Sequence, residues 1–85
     1  MAQQEMKRRI EQNLLTLRGM RDQMRLDLHL ASMEAKDAWK QLERQIEEAE
    51  KLAEDVTETS RHALQEIAGR VAAFRETLEH RDAPR

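Results

Sequence analysis

Residues 28 to 53 read LHLASMEAKDAWKQLERQIEEAEKLA, and the apolar positions Leu28, Ala31, Ala35, Trp39, Leu42, Ile46, Ala49 and Ala53 follow one another at steps of three or four. Side chains at that spacing share one face of an α-helix, which turns once every 3.6 residues. The series runs on in both directions. Backward it passes through Met24, Met20, Leu17, Leu14, Ile10 and Met6; forward it passes through Val56, Ser60, Leu64, Ile67, Val71, Phe74 and Leu78. Twenty steps span the 72 residues from Met6 to Leu78, a mean of 3.60, and Ser60 is the single polar member. These 21 positions are the predicted oligomer interface.

Composition agrees with helix throughout. Charged residues make up 38% of the 85-residue chain, aromatics 2%, and glycine and proline together number three, a balance that belongs to long helices rather than to sheets. Only 39% of the chain is apolar and eleven of those residues are alanine, so a self-contained core is expected to be thin. The stripe therefore calls for cover from other helices. The fold class read from the sequence is all-α: a long, nearly continuous amphipathic helix in a homo-oligomeric coiled coil or helical bundle.

No glycine, proline or asparagine stands between Met20 and Ala68, which removes the usual punctuation from almost the whole chain. The domain reading is a frayed N-terminus over 1–5, an amphipathic helical oligomerisation region over 6–80 and a disordered C-terminal tail over 81–85. A straight helix from Met6 to Leu78 would be about 110 Å long. The weakest stretch is Asp55, Val56, Thr57, Glu58, Thr59 and Ser60, where helix propensity falls and Asp55 with Glu58 has the spacing of a capping box. A bend there makes a helical hairpin, the alternative fold. A bend near Ala31 to Met33 would lay the first third, which carries six basic and four acidic groups, on the middle third, which carries four and nine. The residues themselves give no turn signal.

Ser60 separates the two readings. In a continuous helix it faces partner helices, and Ser60→Leu adds buried apolar surface, stabilising where the site has room and changing oligomer state where it does not. At a bend it is exposed or caps a new helix, and the same change is neutral or harmful.

Chemistry-bearing clusters are sparse. His29 with Met33, His62 with Glu58 or Glu66, and His80 with Glu76 stand one turn apart, yet each supplies two ligands where a structural zinc site needs four. No metal, cofactor or catalytic residue is assigned, and the chain is read as non-enzymatic, since an amphipathic rod offers no pocket in which to tune an acid or a nucleophile. Met6, Met20 and Met24 read as core filler. Lys7, Arg8 and Arg9 are a solvated helix start rather than a phosphate-binding face, which would need a longer basic surface, so nucleic acid is not an expected partner.

The functional expectation is a structural or interaction protein acting as scaffold, spacer or adaptor, its partner a second copy of itself, with Trp39 anchoring the interface between neighbouring chains. Helicity that falls on dilution would follow. Two alternatives are a regulatory protein donating helices to another helical protein, and a lipid surface held by residues 6–30, where Leu15, Leu26, Leu30 and Met33 widen the apolar face. With no cysteine, no apolar leader and no apolar run near the roughly 20 residues a spanning helix needs, the expected compartment is cytoplasmic.

Overall fold

The computed structural model describes the backbone of residues 2–82 and the packing of side chains 3–78. Helix α1 runs Ala2–Asp27 and tightens into a 3₁₀ turn at Leu28–Leu30; α2 runs Met33–Leu52 and α3 runs Glu58–Asp82. The all-α class holds. The single continuous helix does not: over the described residues the helix breaks twice and the chain folds back on itself into three α-helices, within 51 × 21 × 16 Å.

Each break has a local chemical cause. At the first, Ala31 is extended (φ −82°, ψ 164°) and Ser32 (φ −66°, ψ 161°) is the N-cap of α2, its Oγ accepting from the Ala35 N–H at 3.2 Å. A serine oxygen there satisfies one of the donors that a helix start leaves open. The second break falls in the low-propensity run, where the hairpin alternative put it. The capping residue is Thr57 rather than Asp55: its Oγ1 accepts from the Ser60 N–H at 3.1 Å.

Ser60 is the lock of this turn. Its side chain is 1% exposed, and its Oγ lies 2.9 Å from the Thr57 hydroxyl and donates to the Leu52 carbonyl at 2.5 Å. The start of α3 is thereby tied to the last turn of α2. The one polar member of the stripe is a buried fastener rather than an exposed cap.

Folding back is favoured because it covers the stripe within one chain. Fifteen of its 21 positions are buried, and Met6, Leu14, Met20, Ala31, Val56 and Phe74 are partly buried against that core. Helix α3 packs along both α1 and α2. The directions follow from the pairs that meet: Arg21 of α1 reaches Glu50 of α2 at 3.2 Å and Arg25 reaches Glu43 at 3.1 Å, so these helices are antiparallel. Arg75 of α3 lies 3.6 Å from Asp27 at the far end of α1, and Trp39 of α2 packs on Phe74 of α3 with ring centroids 5.8 Å apart. The path is up, down, up.

Helix α1 starts at Ala2, ahead of the Met6 at which the stripe begins, and α3 runs to Asp82, so residues 2–5 and 81–82 are helical where the sequence suggested fraying and tail. Met1 and residues 83–85, the rest of those expectations, lie outside the described residues.

Gly69 sits inside α3 with open space where a Cβ would stand. Replacing it by alanine removes backbone freedom from the unfolded chain without a clash. Gly69→Ala is expected to stabilise by about 0.5 to 1 kcal/mol, read as a higher urea midpoint at unchanged slope.

Candidate interaction surface

Of the 21 residues assigned to an oligomer interface, 15 are buried within the chain itself and six are partly buried. Ile10, Leu17, Met24, Leu28, Ala35, Trp39, Leu42, Ile46, Ala49, Ala53, Leu64, Ile67, Val71 and Leu78 form one apolar cluster. Trp39 is 4% exposed and belongs to this core. The fold covers the stripe within the chain, and the most exposed apolar side chains lie elsewhere.

Leu15 is 67% exposed, Leu26 73%, Leu30 91% and Met33 72%; among the described residues Leu52, at 48%, is the remaining large one. Leu15 and Leu26 are eleven residues apart, three turns plus about 20°, so they stand on one line of α1. That line points away from buried Leu17 and Met24. Leu30 and Met33 follow at the corner between α1 and α2. Between the two leucines, Gly19 presents bare backbone, with nothing within 4 Å of the place a Cβ would occupy. A cluster of bulky apolar side chains left in water marks an interaction surface more often than scattered single ones do.

Charge organises the neighbouring seam. Basic α1 lies on acidic α2, with Glu50 taking Arg21 at 3.2 Å and Arg18 at 3.5 Å, and Glu43 taking Arg25 at 3.1 Å. This is the juxtaposition that a bend near Ala31 to Met33 was expected to bring about. A shallow groove of about 330 Å³ opens at its upper end, lined by Leu28 and Trp39 and bordered by Arg25, His29, Lys36 and Lys40. At the other end of the bundle Arg61 donates to Glu58 at 2.9 Å through Nε, which holds the Glu58 carboxyl below its ordinary range and raises the Arg61 guanidinium. Glu58 is exposed and Arg61 is partly buried beside it, and the pair decorates the first turn of α3.

The histidine pairings do not grow into larger sets. His62 Nε2 is 4.0 Å from Glu66, and among the described residues no three of His, Cys, Asp and Glu come together as a metal would need. The side chain of His80 lies outside the described residues. No described helix is long and apolar enough to cross a membrane.

Sequence reasoning picked out Leu15, Leu26, Leu30 and Met33 as a widening of the stripe. What it lacked was the depth of each position: on a wide face, periodicity does not say which apolar residues the fold will cover. Compared with protein-family models, with curated proteins and with solved structures, the chain matches none.

Proposed function

We propose that this protein is a non-enzymatic interaction module, a three-helix unit that self-associates and so serves as scaffold, spacer or adaptor. The observation that carries this reading is the concentration of bulky exposed side chains, Leu15, Leu26, Leu30 and Met33, on the outward face of α1 and the corner beyond it. Leaving them in water forfeits about 1.5 to 3 kcal/mol for each side chain that a partner could bury fully. Association is separate from folding in this reading, because the stripe is already covered by the chain's own helices. Helicity is therefore expected to persist on dilution, while mass changes.

Sedimentation equilibrium from about 1 μM to 1 mM, the range of weak and moderate complexes, tests it. A reversible rise in mass with concentration, at constant helicity by circular dichroism, is the expected result. A monomer across the whole range would end the self-association reading.

A further inference from the structure

We propose that two copies pair antiparallel along the outward face of α1, with Leu15 of each copy lying against Leu26 of the other. This rests on the self-association reading and names its surface, its partner and its register.

The argument is one of symmetry. In an isologous pair the same patch must complement itself about a twofold axis. Placing Leu15 on Leu26 of the partner copy sets that axis midway between them, where Gly19 and Asp22 stand on the outward face. Gly19 has no side chain to hold the second helix away. The same axis brings Arg18 beside Asp22 of the partner copy, and it brings Arg8 to the corner that carries Leu30 and Glu34. Arg8, Asp22 and Glu34 form no ion pair with any other described residue, and Arg18 holds Glu50 only at 3.5 Å. One register thus sets Leu15 on Leu26 and Arg18 beside Asp22.

Charge also argues against an anionic lipid surface as the occupant. Glu11 and Asp22 alternate with Arg8 and Arg18 along the same face as Leu15 and Leu26, so the face has no net positive charge to draw an anionic lipid surface. Alternating signs suit a second copy. The face is one helix wide, which places the pair among small, reversible interfaces rather than obligate ones.

The chain has no cysteine, which allows a direct test on the full-length protein. Leu15→Cys and Leu26→Cys are made singly, and both sites are exposed enough to leave the bundle intact, checked by circular dichroism. Sites at the same position on two antiparallel copies would be about 16 Å apart, beyond the reach of a disulfide. Mild oxidation of an equimolar mixture is therefore expected to give the mixed Leu15→Cys/Leu26→Cys dimer, with little cross-linking of either variant alone. Leu15→Asp combined with Leu26→Asp is expected to weaken the native association at least about tenfold.

The failures are separable. If the native chain associates but the double aspartate variant does so equally well, α1 is not the surface and the module reading stands. Efficient cross-linking of Leu15→Cys to itself, with no mixed dimer from the equimolar mixture, overturns the antiparallel register. A native chain that stays monomeric at all concentrations removes the pair together with the reading beneath it.

Discussion

Ser60→Leu is expected to destabilise the bundle by about 2 to 4 kcal/mol. Two effects add. The hydroxyl that donates to the Leu52 carbonyl is lost, which costs about 1 kcal/mol; the carbonyl keeps its bond from the Asp55 N–H at 3.1 Å and so is not left bare. A leucine must also enter a site that is 1% exposed and filled by a serine, and overpacking of this kind costs about 1 to 3 kcal/mol. Ser60→Ala separates the two, since it removes the bond without adding volume, and should cost about 1 kcal/mol. In thermal melts at matched concentration the leucine variant should fall by at least about 8 °C, with mass recorded for each protein. A rise in melting temperature would mean that Ser60 faces a partner helix in a continuous rod, and would overturn the turn at 53–57.

The largest single loss is expected at Trp39. It is 4% exposed and packs on Phe74, so Trp39→Ala opens a cavity that neighbouring side chains cannot fill and should cost about 3 to 5 kcal/mol. A domain of this size has about 4 to 13 kcal/mol in total, so the variant is left near its threshold. Trp39→Phe should be much milder, about 1.5 kcal/mol or less. It keeps an aromatic partner for Phe74, and it discards a buried indole N–H that has no hydrogen-bond acceptor among the described residues. Urea titrations followed by circular dichroism check both, since the fluorophore is itself removed. An alanine variant as stable as the native chain would show that Trp39 is not in the core.

Much of the fold could be read from residue types and spacing alone. Every position of the stripe from Met6 to Leu78 is buried or partly buried, because the helical period fixes which face of each segment is apolar wherever that face ends up. The hairpin alternative was legible for the same kind of reason: the run from Asp55 to Ser60 is poor in helix formers. The bend at Ala31 to Met33 was harder to see. Its signal is one serine followed by a glutamate two residues later, and the stripe passes through it without losing step. A turn that preserves the apolar face leaves no mark in the periodicity.

The nature of the candidate surface followed the same division. By itself, the sequence determined that the chain is helical, which positions are apolar on which face, and that the basic first third and acidic middle could attract. Only the tertiary structure decided what covers the stripe. Periodicity describes a face and says nothing of its partner, and a helix in the same chain is an especially favourable one: closing a short turn costs little entropy, whereas a second molecule brings the full cost of association. Once α2 and α3 had covered the stripe, the leucines on the far side of α1 became the exposed ones.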